Sequence, residues 1–332
     1  MPSRYAAALI ALCLAVVLSG AESPDLSPVR QISNADTIAA ARSFAESKGL
    51  EVQTYGDGPF RIMTIGGTPP KPEQLVADGE LVIGGLDIWT GKQGLFVPDA
   101  QADEQVLWYL LLKGDKTFDA FLSYGRKAGV LPKSKGEDLA KQTNNTWGSR
   151  VAITEIDKIS GGGLHRNITV YLATGLALRT FIAERAPDDQ TELPKWLVAG
   201  MQSELERLIC KSNRCYTISY EKSTVDLSRE KWAPALAKLI TKQSTSLLSA
   251  GDVMAIELIS SPAEDYLQLW SLSAFIRQAT GPGPGRRGKP GFGTLLDTIA
   301  RGTPSYEAIY AQLKTDNRGL TKKWHAWAAK QR

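Results

Sequence analysis

The order of apolar and polar positions predicts alternating helices and strands in the first half of the chain. A helix is expected from Ser33-Asn-Ala-Asp36, which resembles a capping box, to a stop at Gly49. Two short strands, 51–55 and 60–65, follow across the turn-forming sequence Gly-Asp-Gly-Pro. The same patterns predict a helix containing Leu75, Val82, Leu86 and Trp89, a buried strand at 106–112, a helix from Asp115 and a strand at 150–159.

Helical spacing dominates the second half. The apolar stretch Ile168 to Ala183 predicts a long helix. A sheet-bearing part, residues 33–192, followed by a mainly helical part, residues 193–332, indicates an α+β fold. The helices expected in the second part span about 194–209, 232–242, 263–279, 292–301, 304–313 and 320–330.

Composition narrows the class of protein without naming a function. Charged residues make up 22% of the chain and hydrophobic residues 43%, which is typical of a folded globular protein. The formal net charge of +4 comes with no dense basic stripe of the kind that nucleic-acid binding needs. The Gly- and Pro-rich stretch 281–293 is interpreted as a surface loop, because a phosphate-binding loop would follow a strand and end in Gly-Lys-Ser/Thr.

The first 21 residues have the features of a cleavable secretory signal peptide. A positive residue, Arg4, precedes an apolar run from Ala6 to Leu18, which is shorter than the roughly 20 residues that a membrane-spanning helix needs. Small residues at Ser19 and Ala21 predict cleavage after Ala21, with residues 22–32 as a flexible lead-in. The alternative is an uncleaved anchor. We therefore expect a secreted or periplasmic protein with no transmembrane segment after cleavage.

Two cysteines remain once the signal peptide is removed. Cys210 and Cys215 are separated by Lys-Ser-Asn-Arg, and in an oxidising compartment such a pair is expected to form a local disulfide. The spacing differs from that of a Cys-x-x-Cys redox motif, and a zinc ribbon would need two further ligands. A structural disulfide is therefore the favoured interpretation.

The most informative segment is Leu193-Pro-Lys-Trp-Leu-Val-Ala-Gly, preceded by the long helix that contains Thr169-Val-Tyr-Leu-Ala-Thr. Together they resemble the gluzincin metallopeptidases, in particular the peptidase MA-like family of exported bacterial proteins. In that family one helix carries His-Glu-x-x-His, and the next begins with Pro-x-Trp-Leu-x-Glu-Gly, whose Glu is the third zinc ligand. The segments starting at Leu110 and Tyr266 resemble neighbouring parts of the family, so the likeness could span about 50–332. It implies a gluzincin, thermolysin-like scaffold.

The chain departs from the family pattern at the positions of the zinc ligands and of the catalytic glutamate. The alignment puts Val170 and Thr174 at the two histidine positions and Tyr171 at the position of the catalytic glutamate. Ala199 stands where the third zinc ligand belongs. The resemblance therefore implies a degenerate metal site, with no catalytic residue at Val170, Tyr171, Thr174 or Ala199.

The histidine count leads to the same expectation without any alignment. A helix-borne zinc site needs two imidazoles at i and i+4, with a carboxylate to polarise the bound water. The chain has two histidines, His165 and His325, which are 160 positions apart. We therefore expect no metal, no other cofactor and no zinc hydrolysis of this kind.

Other candidate site residues have structural alternatives. His165 could act as a base or contact a ligand, although a lone loop histidine is more often at the surface. Trp196 could contact a ligand, but a core position is favoured. Glu204 and Glu206 could suggest acid–base chemistry, yet residues two apart on a helix diverge, so a solvated face is expected. Asn144 and Asn167 each begin an Asn-x-Thr glycosylation acceptor, which matters only if the source glycosylates them.

Three functions remain open at this point. The first is an exported, catalytically inactive metallopeptidase-like protein that binds a peptide, a protein or a cell-envelope component, with Tyr171, Trp196 and His165 as binding candidates. The second is a peptidase or glycosidase with rebuilt chemistry that uses Tyr171, His165 or nearby acids without zinc. The third is a structural protein of envelope assembly, in which the helical part forms a partner interface.

Overall fold

The computed structural model describes residues 33–91, 96, 105–131, 145–147, 150–157, 164–186, 193–213, 232–241, 247–256, 263–281 and 291–331. Its strands all lie before residue 156 and form one mixed five-stranded sheet, whereas helices follow it, so the predicted α+β class is confirmed. None of its helices has the length and apolar character needed to cross a bilayer. The predicted signal peptide, the lead-in 22–32 and residues 282–290 of the Gly- and Pro-rich stretch 281–293 lie outside the described residues.

Five strands make up the sheet, in the order β1-β2-β3-β5-β4. The central pairs β2–β3 and β3–β5 are parallel, and the edge pairs β1–β2 and β4–β5 are antiparallel. The strands span β1 Val52–Tyr55, β2 Phe60–Ile65, β3 Leu107–Leu112, β4 Asn145–Trp147 and β5 Val151–Glu155.

Eleven helices are described. Before and beside the sheet these are α1 Asn34–Ser47, α2 Pro72–Thr90, α3 Asp115–Lys127 and α4 His165–Ala183. The second part contains α5 Lys195–Cys210, α6 Trp232–Thr241, α7 Ala250–Met254, α8 Ala263–Thr280, α9 Phe292–Ala300, α10 Ser305–Leu313 and α11 Asn317–Ala328.

Strand β3 is buried on both faces and separates two hydrophobic clusters. Its residues 108, 110 and 112 pack with helices α1 and α3, whereas 107, 109 and 111 pack with α2, α4 and the helices of the second part. This alternation follows from the two-residue period of a strand. The continuous apolar run from 106 to 112 predicted this burial correctly.

The strand predicted at 150–159 is shorter than expected. β5 ends at Glu155, and the chain is already helical at 156–157. The buried carboxylate of Glu155 accepts hydrogen bonds of 2.8 Å from the backbone N–H groups of Gly114 and Asp157. The acceptor therefore both turns the chain at the end of β5 and caps the beginning of α3, where backbone N–H groups lack helical partners.

Helix α2 packs on β2 closely enough to require glycine. A Cβ atom at Gly79 would lie 2.2 Å from Cδ1 of Phe60, whose ring is fully buried. Gly84, five residues further along the same helix, differs, because a Cβ atom there would meet no described atom within 4 Å. Packing against Phe60 therefore explains why glycine stands at position 79, but the described packing does not explain the glycine at position 84.

We expect opposite stability changes from Gly79→Ala and Gly84→Ala. Gly79→Ala should lower the free energy of unfolding by about 1–3 kcal/mol, because the added methyl group overpacks the core against Phe60. Gly84→Ala should raise it by up to about 1 kcal/mol, because alanine is the better helix former and nothing opposes the methyl group. Urea unfolding of the two variants measures the difference, and equal effects would contradict this packing.

Candidate functional site

Helices α4 and α5 lie antiparallel and are joined by side-chain hydrogen bonds. The Asn167 amide of α4 donates a 2.6 Å hydrogen bond to Oε1 of Glu206 on α5. Further along, the Gln202 amide donates a 3.0 Å hydrogen bond to the backbone carbonyl of Tyr171. The contact partners on α5 therefore decrease in residue number as those on α4 increase, which shows that the two helices are antiparallel. The candidate site defined by the resemblance lies on this helix pair.

The positions that the resemblance assigns to zinc ligands are buried in the structure. Val170 is fully buried in the larger hydrophobic cluster. Thr174, one turn later, is also fully buried, and its hydroxyl donates a 2.8 Å hydrogen bond to the Val170 carbonyl of its own helix. Ala199 is 5% exposed and lies on the side of α5 that carries Gln202 and Glu206. Valine and alanine offer no metal-ligating atom, and the threonine hydroxyl is already engaged.

The three binding candidates differ in their access to solvent. Tyr171 is half-buried and packs against the hydrophobic cluster. Trp196 is 1% exposed, and its indole Nε1 has no hydrogen-bond partner among the described residues. Tyr171 is therefore the candidate that a ligand can reach without moving the core.

The surface position expected for His165 is wrong. It is the first residue of α4 and is 6% exposed, because the helix begins three residues earlier than the apolar run predicted. Burial lowers the pKa of His165 below its ordinary value, so the imidazole is neutral at neutral pH.

The solvated face expected for Glu204 and Glu206 is also wrong, since they are 4% and 1% exposed. Their divergence is confirmed: Glu206 is bonded to Asn167 of α4, whereas Glu204 accepts a hydrogen bond from the Trp270 indole of α8. They are buried because α5 packs against α4 on one side and α8 on another. A Cβ atom at Gly200 would lie 2.5 Å from that of Ser273.

Two guanidinium groups surround Glu204. Arg207 and Arg277 approach its Oε1 at 3.1 Å and 3.2 Å. Each guanidinium also stacks on an indole ring, Arg207 on Trp270 at 5.3 Å and Arg277 on Trp89 at 4.5 Å from the centroid. These contacts join α2, α5 and α8. A carboxylate held by three charge-assisted donors serves as a structural acceptor rather than as a general acid.

A second ion pair lies beside α4. Asp78 of α2 is completely buried and accepts a bidentate pair of 2.7 Å hydrogen bonds from Arg166.

The Cys210 thiol interacts electrostatically with this ion pair and with Glu206. Burial, followed by the charges of Asp78 and Glu206, raises the pKa of the Cys210 thiol to about 12. Cys210 is a free thiol here, but Cys215 lies outside the described residues, so the disulfide stays a prediction.

Asn167 was noted in the sequence only as a glycosylation acceptor. The structure gives it another role, since it is 4% exposed and its amide also donates a 3.0 Å hydrogen bond to the Ser212 hydroxyl. A glycan on this nitrogen would need the helix pair to open. Asn144 lies outside the described residues.

Asp78 and Gln202 belong to the site but were not among the residues predicted from the sequence. A signal for Asp78 exists, because it falls on the apolar side of α2 between Leu75 and Val82, where a carboxylate needs a buried partner. No comparable signal marks Gln202, whose partner is a backbone carbonyl.

The described residues contain no group of three or more His, Cys, Asp or Glu side chains arranged to hold a metal ion. Comparison with known proteins adds nothing to this geometry, since the chain matches no family model, no curated protein and no solved structure.

We expect Asn167→Ala to lower the free energy of unfolding by about 1–3 kcal/mol, because it removes one donor from the buried Glu206 carboxylate. The matched variant is Asn167→Ala combined with Glu206→Gln, which removes the charge as well and should recover part of the loss. Chemical denaturation of these two variants, of Glu206→Gln alone and of the unchanged protein gives the coupling energy. If the double variant is no more stable than Asn167→Ala, the hydrogen bond from the Asn167 amide does not offset the cost of burying the charge of Glu206.

Proposed function

We propose that this chain is an exported, catalytically inactive metallopeptidase-like protein that binds a peptide, a protein or a cell-envelope component. Its scaffold in this proposal is of the gluzincin type, with the zinc site replaced by packed side chains. The observation that carries the proposal is the helix pair α4–α5, in which Val170, Thr174 and Ala199 are buried without a free metal-ligating atom.

The order of elements supports a peptidase-like scaffold. A mixed sheet precedes the long helix α4, which packs with α2 on one face of that sheet. α5 then begins directly after Pro194 and carries the buried Trp196 and Leu197 of the Pro-x-Trp-Leu phrase. Likeness of fold alone does not assign function, so the residues at the site have to decide it.

Those residues argue for binding rather than hydrolysis. The two carboxylates of α5 are engaged by Asn167 on one side and by Arg207 and Arg277 on the other. A hydrolytic acid or base has to reach a substrate, and these groups are directed into helix contacts. The half-buried ring of Tyr171 can instead contact a ligand at the surface of the pair.

One observation favours the alternative of a hydrolase with rebuilt chemistry. The imidazole of His165 is neutral at neutral pH, because burial lowers its pKa, and a neutral imidazole can accept a proton. His165 and Tyr171 stand six residues apart on α4, however, so they point to different sides of the helix. This separation makes a joint site at these two residues the weaker proposal.

The two functions predict different results for one set of measurements. We expect the purified exported protein to contain far less than stoichiometric zinc by elemental analysis, and to cleave neither a peptide panel nor a glycoside panel. Stoichiometric zinc would contradict the proposal. If an activity is found, Tyr171→Phe and His165→Gln test the alternative, which requires that at least one of them abolishes it.

For binding, the same peptide panel and isolated cell-wall polymer serve as immobilised probes. Tyr171→Ala should weaken retention of the bound probe by about tenfold or more, as expected for loss of an aromatic contact. Tyr306→Ala, an exposed tyrosine on α10, is the matched control and should leave retention unchanged. Retention that is equal in all three proteins would place the ligand elsewhere.

A further inference from the structure

Helix α2 is apolar on its solvent side as well as on its buried side. Leu81 and Ile88 are 57% and 72% exposed, and they account for two of the four large hydrophobic side chains that are exposed in the described structure. Ala77 and Gly84 are also exposed and complete the same stripe. Exposed aliphatic side chains one heptad apart, on a helix whose other face is buried, make this face a candidate contact surface that the described residues leave open.

The exposed residues follow a heptad pattern. Positions 77, 81, 84 and 88 are separated by four, three and four residues, which is the spacing of the d and a positions along one seam. Gln74, one step earlier in the same pattern, is exposed too. The seam from 74 to 88 is two heptads long, or about 21 Å. This length and spacing suit a second helix lying along α2.

Gly84 supplies a place for a side chain of that second helix. It is a helical glycine with ordinary backbone angles, and a Cβ atom on it would meet no described atom within 4 Å. The chain's own described packing therefore does not explain a residue that disfavours helix. Between Leu81 and Ile88, the missing side chain leaves a hole of the kind that a knob from a facing helix fills.

The charges beside the seam indicate which charges a helix lying along α2 would carry. The three g positions of this heptad are Glu73, Glu80 and Asp87, all acidic. Asp57 adds a further negative charge next to Glu80, and burial together with that charge raises the pKa of Glu80. The e positions on the other edge are Asp78, which is paired with Arg166, and Gly85. All three g positions of the seam are thus acidic.

A second copy of this chain does not fit these charges. An antiparallel pair of α2 helices would place acidic g positions against acidic g positions. A parallel pair would place them against Gly85 or against Asp78, whose charge is neutralised by Arg166, so no net positive charge would face them. Like charges facing each other across a coiled-coil pair oppose association.

We propose that the solvent face of α2 docks an amphipathic helix of a partner protein, with aliphatic residues on its seam and Lys or Arg residues flanking it. The partner's aliphatic residues pack on Leu81 and Ile88, one of them fills the space at Gly84, and its basic residues face Glu73 and Glu80. This surface is separate from the candidate site on α4 and α5, so the inference stands or falls independently of the proposed function.

Two synthetic three-heptad peptides test the inference directly. Both have leucine at the seam positions; one has lysine at every flanking position and its twin has glutamate there. Fluorescence anisotropy with the exported protein should show binding of the basic peptide, and at least about tenfold weaker binding of the acidic twin. Binding should weaken at about 1 M salt, where the Debye length is about 3 Å.

Variants locate the site. Leu81→Ser combined with Ile88→Ser should weaken binding of the basic peptide by at least about tenfold, and Glu73→Lys combined with Glu80→Lys should reverse the preference between the peptides. Gly84→Ala should weaken binding although it does not destabilise the fold. The control Tyr306→Ser removes an exposed aromatic residue from α10 and should change neither peptide's affinity.

Each of the following results would overturn the inference. They are no binding of the basic peptide, equal binding of the two peptides, self-association by sedimentation that the seam variant abolishes, and a loss of unfolding free energy in the seam variant that is well above the roughly 1 kcal/mol that helix propensity can account for. The third would assign the face to a second copy, and the fourth would mean that the chain itself covers it. Binding of the protein to anionic lipid vesicles through this face would equally contradict a basic partner.

Discussion

Helix α5 is buried on nearly every side, and the rest of the site follows from that constraint. Residues 199–206 are all buried, and they include Gln202, Ser203, Glu204 and Glu206. A buried polar group that lacks a partner costs free energy, and Gln202, Glu204 and Glu206 each have a partner on a neighbouring helix. The helices on either side of α5 supply them, with Asn167 on α4 and the pair of Trp270 and Arg277 on α8.

The same contacts occupy the carboxylates that lie on and beside the helix pair α4–α5. Catalysis needs an acid, a base or a metal ligand that is free to meet a substrate. In this chain the carboxylates of α5 and the carboxylate of Asp78 are committed to holding helices together. The binding that we propose places no such demand on them, because the half-buried Tyr171 is accessible from the surface of the pair.

Local patterns were enough to predict most elements, but not the contacts between them. The run 106–112 and the period of residues 168–183 identified β3 and α4, because burial on both faces and helical spacing are visible in a single segment. The three-residue strand β4 and the five-residue helix α7 were missed, since such short elements carry too few residues to show a period. Glu204 and Glu206 were misjudged because a charged helix face is normally solvated, and only the position of α8 and α4 reveals that both sides are covered.

We propose that α4 and α5 retain the frame of a zinc site whose ligands have been replaced. Restoring them tests it most directly: a variant carrying Val170→His, Tyr171→Glu, Thr174→His and Ala199→Glu would regain two imidazoles at i and i+4 and a third ligand on the next helix. Elemental analysis after dialysis should then find stoichiometric zinc in this variant, and less when Ala199 is left unchanged. A folded variant that retains no zinc would contradict the claim.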